Sequence, residues 1–136
     1  MRSKIKILLI EDDQIERMKF KRCCPESQSI SIIEASNGES AMTLLDDKMF
    51  PNLIVVDLNM PKMNGIEFLR KIKTKPELAF IPIIVLSTSN NFEDVKKCYE
   101  IGVSGYMIKP LHYEDYKKKI DALVTYWLQN ELVLEV

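Results

Sequence analysis

The sequence predicts an α/β domain in which five short parallel strands alternate with five helices, and three observations carry that expectation. Five runs rich in Ile, Leu and Val recur, at Ile5 to Ile10, Ile30 to Ile33, Leu53 to Val56, Ile81 to Leu86 and Gly105 to Ile108, each short and apolar enough for a strand covered on both faces. Their starts lie roughly 22 to 30 residues apart, which leaves room between neighbours for one helix and two loops, the spacing of repeated βαβ units. The length of 136 residues, 46% of them hydrophobic and 29% charged, is that of one globular domain with a proper core.

Taken in order, the first strand, Ile5 to Ile10, runs into three acids, Glu11, Asp12 and Asp13. The second, Ile30 to Ile33, is followed by Asn37-Gly38, a turn signal ahead of the second helix. Pro51-Asn52 precedes the third strand, and Ile66, Leu69 and Ile72 mark the buried stripe of the third helix. The fourth strand, Ile81 to Leu86, leads to a helix whose Phe92, Val95 and Tyr99 read as its core face and whose end is expected at Gly102. The fifth strand is followed by a helix with Tyr116, Ile120, Leu123 and Trp127 at helical spacing. These stripes read as core faces rather than cofactor contacts. Such a (βα)5 chain is expected to adopt the flavodoxin-like doubly wound order 2-1-3-4-5, with its site beyond the carboxyl ends of the first and third strands, at the topological switch point.

Lys and Arg number 19 and Asp and Glu 20, a net charge of −1 that leaves no electrostatic footprint for nucleic acid or an anionic membrane. The segment after Met1, Arg2, Ser3 and Lys4 has only six mostly apolar residues, too few for a signal peptide or a membrane span, so a cytoplasmic protein is expected. Cys23, Cys24 and Cys98 make neither a disulfide framework nor a zinc-site spacing and read as reduced structural thiols.

The first and third strands deliver Glu11, Asp12, Asp13 and Asp57 to one crevice. Carboxylates about 4 Å apart repel by roughly 1 to 4 kcal/mol per pair, so the cluster asks for a cation. Oxygen ligands with room for waters and a phosphate oxygen suit Mg²⁺. The fourth strand ends in Ser87, Thr88 and Ser89 and the fifth is followed by Lys109-Pro110, which brings a hydroxyl and an ammonium to the same edge. Fixed cations there would neutralise charge on a phosphoryl group in flight, and Asp57 is the natural nucleophile, giving an acyl phosphate.

The segments Ile7-Leu8-Leu9-Ile10-Glu11-Asp12-Asp13, Asp57-Leu58-Asn59-Met60-Pro61 with Gly65, Ser87, and Tyr106-Met107-Ile108-Lys109-Pro110 closely resemble, in order and spacing, the signatures of response-regulator receiver domains of the stand-alone, chemotaxis-regulator-like kind. The resemblance spans nearly the whole chain. It implies that Asp57 is phosphorylated, that Asp12, Asp57 and the carbonyl of Asn59 hold Mg²⁺ with Glu11 assisting, and that Asp13 stands outside that shell. It implies further that Ser87 is the switch hydroxyl, Lys109 the ionic partner of the phosphoryl group, Tyr106 the aromatic switch, and the bond before Pro110 cis. The implied donor is a histidine kinase or a histidine phosphotransfer protein. Cys98-Tyr99-Glu100, Leu111-His112-Tyr113 and Tyr126-Trp127-Leu128 are similar to small regulators that work beside phytochrome-type kinases, which implies a possible homodimer through the fourth helix, fifth strand and fifth helix.

Read as one receiver domain over residues 1–136 with a short tail from about 129, the chain has no output domain, and its output is expected through protein contacts. Its end at Tyr126-Trp127-Leu128 is either an exposed patch or part of the domain's own core. It catalyses its own modification and is not an enzyme by role. An aspartate-based phosphohydrolase would want an acid where Asn59 stands, a flavin-binding protein would want a Ser/Thr/Gly-rich loop where the three acids stand, and a degenerate scaffold would have lost some of these residues. His112, the one histidine, reads as incidental, and Lys117, Lys118 and Lys119 as the solvated face of the last helix.

Overall fold

The computed structural model describes residues 5–25 and 29–133. The order is β1 (Ile5–Ile10), α1 (Gln14–Cys23), β2 (Ile30–Ala35), α2 (Gly38–Asp46), β3 (Leu53–Val56), α3 (Gly65–Lys73), β4 (Ile83–Ser87), α4 (Phe92–Ile101), β5 (Gly105–Ile108) and α5 (Tyr113–Leu128). All strand pairs are parallel and the sheet runs β2-β1-β3-β4-β5, the expected doubly wound order.

Alternation along the strands divides the core in two. Leu8, Ile10, Ile54, Val56, Ile83 and Val85 face α2, α3 and α4. Ile7, Leu9, Leu53, Val55, Ile84 and Leu86 face α1 and α5, where Phe20, Tyr116 and Ile120 are completely covered. Strands whose neighbouring residues must serve opposite faces are mostly apolar, which is why they read as hydrophobic runs.

Side chains at the helix starts take up the first free backbone N–H groups. Asp13 accepts from Ile15 N at 2.8 Å, Asn37 and Ser40 form a reciprocal box at α2, Asn64 and Glu67 do the same at α3, and Asn91 caps α4. Gly102 ends α4 at φ +117°, where a side chain would be strained.

Three boundaries or faces differ from the sequence reading. β2 extends two residues further, to Ala35. β4 starts at Ile83 rather than Ile81, because Pro82 has no N–H to enter the ladder and Ile81 N–H turns back to the Leu78 carbonyl at 3.1 Å. On α4 the expected face of Phe92, Val95 and Tyr99 is not the core face. Phe92 is 72% and Tyr99 52% exposed, and the buried residue of the helix is Cys98. Tyr99 follows Cys98 and so lies about 100° round the helix from the line that meets the sheet.

Cys23, Cys24 and Cys98 are free thiols. In α5, Trp127 and Leu128 pack against the α1/α5 side of the core while Tyr126 is exposed, which divides the terminal aromatic cluster between the two readings. Lys117 and Lys118 are solvated, but Lys119 is partly buried, its Nζ donating to the Ile108 carbonyl at 2.8 Å. The tail is tied by Asn52, which accepts from Lys6 N and donates to the Val133 carbonyl, each at 2.7 Å. Met1 to Lys4 and the last three tail residues lie outside the described residues. No helix of the described residues is long and apolar enough to cross a membrane.

Gly65 sets how closely α3 approaches β3. A Cβ there would lie 2.6 Å from the Asp57 carbonyl oxygen and 2.6 Å from Leu58 Cα, both backbone atoms with little freedom to yield. Gly65→Ala should cost about 1 to 3 kcal/mol of stability, the usual penalty for overpacking, seen as a lower urea midpoint. An unchanged midpoint would show that the two elements separate freely.

Candidate functional site

The register places the strand ends in one row. Ile10 lies opposite both Ala35 and Val56, and Ser87 opposite Ile108. The ladder continues one step beyond, with Asp57 N–H donating to the Ile10 carbonyl at 3.0 Å and Lys109 N–H to the Ser87 carbonyl at 2.8 Å. Glu11, Asp57 and Lys109 therefore emerge side by side.

Carboxylate oxygens of Glu11, Asp12 and Asp57 lie within 4.8 Å of one another. Glu11 is 5% and Asp57 9% exposed, whereas Asp12 is open to solvent. Lys109 Nζ is 2.6 Å from Glu11 Oε1 and 3.9 Å from Asp57 Oδ2. Asp13 turns away to cap α1, although its N–H donates to Glu11 Oε2 at 3.2 Å. Of the three acids, Asp13 alone serves the helix start.

Burial raises the Glu11 carboxyl to about 7, against the lowering effect of the Lys109 hydrogen bond and charge and with the Asp57 charge adding to the rise. Burial also raises Asp57, opposed by the Lys109 charge, the Asn59 N–H and a hydrogen bond from Glu11. Burial disfavours the Lys109 ammonium, but its hydrogen bond to Glu11 and the neighbouring carboxylates more than offset this, and its pKa rises. Three carboxylates facing one ammonium leave negative charge unmet, and oxygen donors at this spacing fit a hard divalent cation.

Ser87 is fully buried at the end of β4, its Oγ accepting from Ser89 N at 3.1 Å. Tyr106 packs its ring on the α2/α3/α4 side of the core and donates its hydroxyl to the Ser89 carbonyl at 2.8 Å, which links β5 to the β4–α4 loop. Ser89 in turn donates to Asp94 Oδ2 at 2.8 Å. Asn59 N–H lies 3.4 Å from Asp57 Oδ1. His112 holds the N-cap position of α5 without a side-chain cap bond. No cis peptide bond occurs among the described residues, so the bond before Pro110 is trans, contrary to the expectation. Trans is the ordinary X–Pro form, and Lys109 is held instead by its N–H bond to Ser87 and its ion pair with Glu11.

Two residues at the site were not singled out in the sequence. Arg17 Nη1 donates to the carbonyls of Glu11 at 2.7 Å and Asp12 at 3.1 Å. Its signal was a cation in the first turn of a helix, where acids are favoured. Lys119 reaches the carbonyl of Ile108, next to Lys109. As the last of three lysines it gave no such signal.

Residues 7–121 match the family model of the response regulator receiver domain. Response regulator Rcp1 of Synechocystis sp. is 35% identical over 131 residues, 91% of this chain and 89% of Rcp1. The probable methanogenesis regulatory protein FilR2 of Methanothrix harundinacea is 34% identical over 128 residues, 90% of this chain and 83% of FilR2. Among solved structures, the phosphorylated cyanobacterial phytochrome response regulator RcpA superposes with a TM-score of 0.92 at 29% identity, covering 97% of this chain and all of RcpA. The Mn²⁺-bound form of Rcp1 superposes with a TM-score of 0.89 at 33% identity, covering 96% and 99%.

The raised Glu11 pKa fixes a sign for pH dependence. Between the ordinary value of 4.5 and about 7, the folded protein keeps a proton that the unfolded chain has lost, so stability falls as pH rises through that window. Asp57 adds in the same direction. Thermal unfolding in chelator should show the decline, and Glu11→Gln should flatten it. An equal slope in the variant would show that Glu11 is not the group titrating.

Proposed function

The chain belongs to the response regulator receiver domain family, and on that premise we propose that it accepts a phosphoryl group on Asp57, in a Mg²⁺-dependent reaction, from the phosphohistidine of a histidine kinase or histidine phosphotransfer protein. The observation that carries this reading is the unequal engagement of the carboxylates. Both Glu11 oxygens are taken, one by Lys109 and one by Asp13 N–H, and Asp12 is solvated. Asp57 is largely out of water, and its oxygens meet a 3.4 Å N–H contact, an ammonium at 3.9 Å and the Glu11 carboxyl. It is the partly desolvated carboxylate whose oxygens are held by long contacts, as a nucleophile needs.

Asp12, Asp57 and the carbonyl of Asn59 would hold Mg²⁺, with Glu11 assisting. The ion, when bound, neutralises charge on the phosphoryl oxygens. An Asp57 oxygen forms the new O–P bond while the donor's P–N bond breaks and the imidazole nitrogen keeps the electron pair. Lys109, already within 3.9 Å of Asp57, exchanges part of its contact with Glu11 for the arriving phosphoryl oxygens. Ser87 is the hydroxyl that turns to the phosphoryl group. Its Oγ is now engaged by Ser89 N–H, so that turn frees the β4–α4 loop, to which Tyr106 is bonded. The phosphoryl state is thereby coupled to the face formed by α4, β5 and α5, and the ligand shifts a two-state equilibrium by its differential contacts.

The domain's own turnover is limited to gaining and losing this group, and its output is protein contact. Exposed Phe92 and Tyr99 on α4 and Leu111 after β5 favour that face for a partner or a homodimer. A cytoplasmic location accords with this role.

Intact-protein mass spectrometry after incubation with acetyl phosphate should show a Mg²⁺-dependent adduct that peptide mapping places on Asp57. Asp57→Asn should lose it while keeping its circular dichroism, and an adduct that persists in folded Asp57→Asn refutes the assignment. Lys109→Ala should leave Mg²⁺ affinity within about threefold and blunt the phosphorylation-dependent change in elution volume or Tyr fluorescence. Parallel loss of cation binding would contradict its role as phosphoryl partner.

A further inference from the structure

Arg17 lies in the first turn of α1, at the positive end of the helix dipole, where a cation is disfavoured, and it borders the acidic crevice assigned above to a divalent ion. Two sets of contacts offset this. Nη1 donates to the carbonyls of Glu11 and Asp12 at 2.7 and 3.1 Å, and Nε donates to Glu34 Oε1 on β2 at 3.1 Å. Glu34 also accepts from Lys21 at 2.9 Å, so two cations of α1 hold one carboxylate of β2.

The ion pair alone accounts for little. Glu34 is about one-third exposed, and pairs of that kind add at most about 1 kcal/mol. The carbonyl contacts are of another kind. They join the two peptide groups whose side chains enter the crevice, and they are largely shielded, the Arg17 side chain being 17% exposed. We propose that Arg17 is a positioning residue for cation binding: by taking up the carbonyls of Glu11 and Asp12 it fixes the β1–α1 turn so that both residues meet the ion with carboxylates, and Glu34 fixes Arg17. The inference rests on the receiver reading above. A planar guanidinium serves the turn and the β2 carboxylate at once through different nitrogens; an ammonium cannot span both with the same geometry.

The test is calorimetric titration of the chelator-stripped protein with Mg²⁺ and Mn²⁺, well below the unfolding temperature, alongside melting curves in chelator. Arg17→Met should weaken the cation Kd about 10-fold, the lower end of what loss of an outer partner costs a metal site. Arg17→Lys should fall between, and Glu34→Gln should lose less than Arg17→Met. A lowered melting temperature with a wild-type Kd in folded Arg17→Met would make Arg17 a structural staple and overturn the proposal. Should Arg17→Met not fold, folded Arg17→Lys decides: a weakened Kd supports the proposal and a wild-type Kd overturns it. Wild-type protein that binds neither ion would overturn the receiver reading as well, whereas wild-type binding with an unaffected Arg17 series overturns this inference alone.

Discussion

One electrostatic constraint governs the carboxyl edge of the sheet: Glu11 and Asp57 are taken largely out of water with a single ammonium, Lys109, to face them. Burial of that kind is tolerated only if the charges are paired, partly protonated or joined by a further cation. Burial shifts both carboxyl groups upward, in the direction of the second option. The same excess would give a dication its place. The proposed phosphoryl acceptance on Asp57 is the counterpart, since an anion can settle among carboxylates only when fixed positive charge is already there.

The fold supplies the geometry by simple means. Parallel strands in register bring Ile10 level with Val56, so the next residue on each strand carries its carboxylate to the same height. Missing side chains then let backbones close up. Gly65 N–H donates to the Leu58 carbonyl at 3.0 Å and Gly38 N–H to the Met63 carbonyl at 3.1 Å, and a Cβ at either glycine would strike the loop after β3, at Asp57 and Leu58 for Gly65 and at Met63 for Gly38. That loop is braced at both ends by helix starts.

Much of this was legible in the sequence because it depends on local pattern. The parallel sheet follows from alternation of strand and helix, and the acids, hydroxyl and lysine stand immediately past apolar runs. What escaped depends on angle or reach. The α4 stripe failed because Phe92 and Tyr99 are apolar at helical spacing but set round from Cys98, and spacing alone gives a face without saying which way it points. Arg17 and Lys119 bond to backbone carbonyls, groups every residue has and no motif displays. The bond before Pro110 is trans, and Lys109 is held by its N–H bond to Ser87 and its ion pair with Glu11. Asp13, which the resemblance already sets outside the metal shell, has a carboxylate that closes the helix, a role its place in the run did not display.

The shallow seat of α4 has a mechanical consequence. α3 buries Phe68, Leu69 and Ile72 and α5 buries Tyr116, Ile120, Leu123 and Val124, whereas α4 is moored by Cys98. Displacing a helix costs in proportion to the apolar surface it uncovers. Compliance in this domain is therefore anisotropic: stiff beneath Asp57 and along α1 and α5, soft at α4. A disturbance at the end of β4 travels toward the element that resists it least.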